Sequence, residues 1–190
     1  MPIQSWGDVG RGALAGFIGG LAATAVMSAF MTLMGHVADF GSEDESGQDN
    51  SAGQEDAASP NDANQEDASV EEAGSATAQV ADIIAEKALD QELTLEQAEA
   101  AGQIVHYTFG GTMGALYGAA AEIEPNVTMG AGIPYGAAVW LGADEIALPV
   151  LKLAEGPTRV PLSLHASALV AHFIYGFCTE MARRALRARW

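Results

Sequence analysis

The chain reads as an all-α integral membrane protein: a four-helix transmembrane bundle with a disordered acidic external loop and a short amphipathic helix at the interface. Three observations predict this. Four apolar segments, about residues 12–37, 104–121, 129–151 and 162–186, are long enough to cross roughly 30 Å of hydrocarbon, the second reaching into the interface. Small residues recur within them at four-residue spacing. The ionisable groups they contain are few and fall at matching depth.

Residues 1–40 form the N-terminus and first span. Gly12, Gly16, Gly20, Thr24 and Ser28 lie in one row, and in lipid such rows let helix backbones approach closely. The apolar stretch is longer than the 7–15 residues of a typical signal-peptide core, and no small-x-small site follows His36, so it reads as retained. Processing there would leave three spans. Residues 41–74 are rich in Ser, Asn, Gln, Gly and acid. They cannot bury enough apolar surface to offset chain entropy and are expected to be disordered. The charge split is sharp: residues 39–102 hold 18 Asp or Glu and a single Lys, while the rest of the chain is neutral, out of a net −17.

In residues 75–92, Val80, Ile83, Ile84 and Lys87 share one side, which predicts an amphipathic helix lying on the membrane surface. Thr94 with Gln97 has the capping-box spacing and opens a new helix. Residues 93–190 then hold three spans and a basic C-terminus. Gly110, Gly114 and Gly118 continue the small-residue pattern in the second span, and Gly132 and Gly136 in the third. In water that many glycines would melt the helices, at about 1 kcal/mol each.

Positive residues set the orientation. Arg11 precedes the first span and Arg183, Arg184, Arg187 and Arg189 follow the last, while Lys87, Lys152 and Arg159 fall on the other side. Both termini are therefore expected in the cytoplasm, in a multi-pass arrangement in the inner membrane. The lipid bilayer is the expected partner, and a homo-oligomer is compatible with the pattern. Nucleic acid is not, because no Lys/Arg face exists to displace counterions from phosphate. Cys178 stands alone and forms no internal disulfide.

His106, Asp144, Glu145, His165 and His172 are the candidate proton- or cation-binding residues. With the orientation above, all five occupy the outer half of the membrane, Asp144 and Glu145 roughly 10 Å below the end of their span. His165 and His172 are seven apart on one face with Gly176; His106 heads the Gly110 row; Asp144 continues the Gly132–Gly136–Trp140 row. Ionisable groups at such depth are costly and mark functional sites. Two adjacent carboxylates cannot both stay charged there without protons, cations or donors. Pro149 removes an amide donor and crowds the carbonyl of Glu145. His106-x-x-Phe109-Gly110 and His172-x-x-Tyr175-Gly176 echo one another. Glu180 with Arg183 and Arg184 reads as an interfacial ion pair, and Glu122 and Glu124 as a solvated turn before Pro125.

The segments LYGAAAEIEP, WLGADEIALP, the H-x6-H pair and YGFCTEMARRALRAR resemble the YagU-type inner-membrane family, well over residues 102–189 and weakly over 12–40. The resemblance implies a four-span inner-membrane protein of unknown biochemical activity, linked to acid resistance. It places His106, Glu122, Pro125, Pro149, His172, Glu180, Arg183 and Arg184 at family-like positions. The acidic insert lies outside it.

The expected function is non-enzymatic: proton or cation binding or relay in acid or envelope stress. One alternative is a structural membrane protein whose polar residues only bond helices together, and another is a metal-dependent hydrolase, for which no HExxH or comparable motif is present. No motif calls for a cofactor, and whether the cluster takes a metal is open.

Overall fold

The computed structural model describes residues 5–45, 67–154 and 158–190, and every regular element within them is helical. Helix α1 spans Trp6–Glu45, α2 Asp67–Ile84 and α3 Leu95–Ile123. Helix α4 opens as Ile133–Trp140, widens into a π-helical stretch at Leu141–Ala147 and closes with the turn Leu148–Val150. Helix α5 spans Leu162–Arg187. The helices invade the segment expected to be disordered from both sides, α1 through Glu45 and α2 from Asp67; residues 46–66 lie outside the described residues.

Local chemistry sets the helix ends. Thr94 Oγ1 accepts from the Gln97 amide at 3.3 Å while Gln97 Oε1 accepts from the Thr94 amide at 3.0 Å, completing the capping box that opens α3. Pro125 ends α3, since it has no amide to continue the ladder. A 3₁₀ segment follows and turns back at Gly130, Ala131 and Gly132, all with positive φ. Gly132, at φ 83°, also lies against the Gly176 carbonyl, where no Cβ fits.

Two antiparallel pairs of helices, α1 with α3 and α4 with α5, make up the bundle, and both are fastened by glycine. In the first, Gly12 meets Gly118, Gly16 meets Gly114, and Gly20 meets Gly110, so each turn up α1 matches a turn down α3. A Cβ at any of these would strike a backbone carbonyl or, at Gly110, the Thr24 hydroxyl. In the second pair Gly136 lies on the His172 carbonyl and Gly176 on that of Gly132. Helix α1 also packs along α5, where Gly19 touches the Thr179 carbonyl. Helices α3 and α4 make no comparable backbone approach; Tyr117 stacks on Tyr135 between them, ring centroids 4.4 Å apart.

What is buried runs opposite to a water-soluble fold. Among the described residues the fully buried apolar side chains are mostly alanine, with Met27, Tyr117, Leu164 and Tyr175, and include no Ile, Val or Phe. Thr24, Glu122, His172, Thr179, Glu180 and Arg183 are buried too, while Leu14, Ile18, Leu116, Ile146 and Val170 face outward. Two helical stretches, Trp6–His36 and Leu162–Arg187, are long and apolar enough to cross a membrane.

The segment 75–92, expected as a surface helix, packs on α3: Ala76 and Ala81 of α2 are buried, and the Thr77–Ala78 backbone lies against Gly102. Its Ile83 and Ile84 face outward because alanine, not isoleucine, permits the close approach. The third apolar segment is not one regular α-helix. In the π stretch the Leu148 amide donates to the Ala143 carbonyl, five residues back, and widening the turn ahead of Pro149 relieves the clash its ring would have with the Glu145 carbonyl.

Candidate functional site

The polar interior gathers at two ends of the bundle. At the histidine end, α4 delivers its two acids to two histidines of α5. Glu145 Oε1 lies 2.5 Å from His165 Nδ1, and Asp144 Oδ2 lies 3.7 Å from His172 Nδ1. The π stretch, Leu141–Ala147, carries both acids. Its wider turn sets neighbouring side chains closer in azimuth than an α-helix does, so consecutive carboxylates both reach α5. Trp140 stands edge-on to His165, centroids 6.5 Å apart. From α3, His106 comes within electrostatic reach of His172. All five candidate residues therefore border one region, in two direct pairs and one facing histidine.

His172 is held by its own helix as well. Its Nδ1 lies 2.9 Å from the Ala168 carbonyl. A carbonyl only accepts, so in this contact Nδ1 carries the hydrogen. Among the described residues no three His, Cys, Asp or Glu side chains converge closely enough to share one metal ion. The geometry provides acid–imidazole pairs. His36, at the same end of α1, is exposed and bonded to the Thr32 carbonyl at 2.7 Å, away from the pairs.

At the arginine end, Glu180 and Glu122 tie three helices. Glu180 is completely buried and accepts from Arg183 Nε at 2.7 Å and Arg184 Nε at 2.5 Å. Glu122, on α3, accepts from Arg187 Nε at 2.8 Å and Arg183 Nη1 at 3.4 Å. Arg187 also lies 3.8 Å from Asp8 of α1. The reading of Glu122 as part of a solvated turn is therefore corrected. It is buried because two arginines some sixty positions later in the chain close over it. A signal was present: Glu122 follows Gly118, and Glu180 follows Gly176, by the same four-residue step that defines the packing rows.

Between the ends runs a hydroxyl-lined seam that single-residue reasoning missed. The Tyr175 hydroxyl donates to the Gly110 carbonyl at 2.6 Å, tying α5 to α3. The buried hydroxyls of Tyr117, Tyr135 and Thr179 and the Trp140 indole N–H have no well-formed hydrogen bond.

Residues 79–181 match a family described as a protein of unknown function (DUF1440). The matched stretch holds all five residues of the histidine end together with Glu122 and Glu180, and leaves α1 and the C-terminal arginines outside. No significant match was found among curated proteins or solved structures. With more than half of its length inside the matched region, the chain belongs to the DUF1440 family.

Proposed function

We propose that this protein is a four-span inner-membrane protein, both termini cytoplasmic, that takes up protons or cations at an outward-facing histidine end. The reading extends to a non-enzymatic role in acid or envelope stress, in keeping with the resemblance to YagU-type proteins. The inverted burial supports the membrane setting. Outward-facing Ile104, Phe109 and Leu116 on α3 and Leu141, Ile146 and Val150 on α4 extend the apolar surface beyond the two helices that qualify on length and composition. Water would penalise that surface, and lipid would not.

The observation that carries the function is the pairing of Asp144 with His172 and Glu145 with His165 inside this apolar bundle. Imidazole is the side chain whose ordinary titration falls between pH 5 and 8, so an imidazole–carboxylate pair trades protons where external acidification occurs. Purified protein in liposomes under an inward proton or cation gradient tests this. Glu145→Gln and His172→Ala are expected to lower the flux at least tenfold; flux equal to wild type in both refutes the transport reading.

A structural role has one observation in its favour: His172 is already satisfied within its own helix by the Ala168 carbonyl. Substitutions that destabilise the bundle while no pH- or ion-dependent property changes decide for that role.

A further inference from the structure

We infer that a water-linked chain of hydroxyls, Tyr175, Thr179 and Tyr117 with Tyr135 and Trp140 beside it, joins the histidine end to Glu180, and that the species it carries is the proton. The inference rests on the uptake proposed for the histidine end and names its cargo and its route.

The orphaned groups are the starting point. Buried donors and acceptors are almost always paired, and each unpaired one calls for an explanation. Here Tyr117 Oη, Tyr135 Oη, Thr179 Oγ1 and Trp140 Nε1 lack a well-formed hydrogen bond, and Tyr117 and Thr179 are at most 1 % exposed. Four such groups scattered at random would be a defect. These are not scattered. Tyr175 stands one turn below His172 on α5, and Thr179 one turn below Tyr175. The Tyr135 hydroxyl approaches that of Tyr175, and the Tyr175 hydroxyl approaches that of Thr179. The Tyr117 hydroxyl lies beside the Glu180 carboxylate. The line of orphans therefore begins under one polar end and finishes at the other.

The spacing of the helices differs along that line. Three helix pairs are drawn together closely, α1 with α3 and α4 with α5 by glycine, and α1 with α5 along their length; α3 and α4 are held apart by the stacked rings of Tyr117 and Tyr135. A polar gap with several convergent hydroxyls is the setting in which buried water is stable, each molecule making two to four hydrogen bonds. Water there would satisfy the orphans and connect them.

Hydroxyls and water relay protons by exchange. Each oxygen accepts one proton and releases another, so bonds form and break in equal number and the chain itself is unchanged. A metal cation is a poor fit. Ca²⁺, for example, takes six to eight oxygen ligands, and this seam offers about one side-chain oxygen per helical turn.

Proteoliposomes with an acid exterior test the inference, with proton influx read by an internal pH dye and 86Rb⁺ uptake measured in parallel. Thr179→Val is the informative variant, since it replaces the hydroxyl by a methyl of similar size and leaves the Tyr175 bond to the Gly110 carbonyl in place; Tyr175→Phe is the second. Both are expected to cut proton influx at least tenfold, with no 86Rb⁺ uptake in wild type. Hydroxyl-radical footprinting of wild type in nanodiscs is expected to modify the buried Tyr117 and Tyr135, as radicals formed from internal water do. If Glu145→Gln abolishes influx while Thr179→Val and Tyr175→Phe conduct like wild type, or if both tyrosines remain unmodified, the hydroxyl route is overturned and the histidine end keeps its role. Rubidium uptake matching the proton flux overturns the cargo. Wild-type influx no greater than that of empty vesicles overturns the route together with the uptake on which it rests.

Discussion

The two ends of the bundle use the same elements with different chemistry. At the arginine end, guanidinium groups that stay charged at any physiological pH clasp Glu122 and Glu180 and bind α1, α3 and α5 into one body. At the histidine end, Asp144 and Glu145 meet imidazoles instead of guanidinium groups. Helices α3 and α5 each run from a histidine through packing glycines to a buried glutamate: His106 to Glu122, and His172 to Glu180. A common stripe thus carries guanidinium-bound carboxylates at one end and imidazole-paired ones at the other. The difference teaches that these acids are not all of one kind: at one end permanent cations tie three helices, and at the other neighbouring imidazoles join two.

That contrast is broken or sharpened by substitution. The largest effect is expected from Glu180→Ala, which leaves Arg183 buried without its nearest partner and costs about 3–5 kcal/mol, read as lost thermal stability in detergent. Recovery of stability by shifting pH would contradict a permanent lock. Gly114→Ala comes next. Its Cβ is driven into the Gly16 carbonyl, and separation of α1 from α3 is expected to cost about 3 kcal/mol, the upper end of ordinary overpacking.

Glu145→Gln is expected to cost about 2 kcal/mol, as befits one charge-assisted hydrogen bond in a nearly buried pair, while flattening any dependence of proton uptake on external pH between about 5 and 8. A large stability loss with an unchanged uptake profile would move the histidine end into the same class as the arginine end. The smallest effect belongs to Gly142→Ala. Nothing lies within 4 Å of the Cβ it would add, so melting should shift by no more than about 1 kcal/mol. A strong loss there would mean that the π stretch is packed against a surface beyond this chain.

The sequence carried the helical class, the Thr94 cap and the glycine rows, because each follows from spacing along a single helix. The burial of Glu122 did not show, since Glu-Ile-Glu-Pro read in isolation is a turn and its arginine partners come from the far end of the chain. The packing of α2 was hidden for a related reason: the more hydrophobic side of the segment is not the side that touches α3. The hydroxyl seam was invisible because Tyr117, Tyr135, Tyr175 and Thr179 come from three helices, and their nearness depends on interhelical register. The π stretch needed both Pro149 and the paired acids considered together.

The widened turn at Leu141–Ala147 has an evolutionary implication. A π turn differs from an α turn by one residue, so removing a single codon from this stretch would restore regular winding and rotate everything on one side of the cut by about 100° relative to the other. The glycine-lined half of α4 would keep its seat on α5, while Asp144 and Glu145 would swing away from His172 and His165. One small deletion would thus dismantle the acid–imidazole pairs with the scaffold intact.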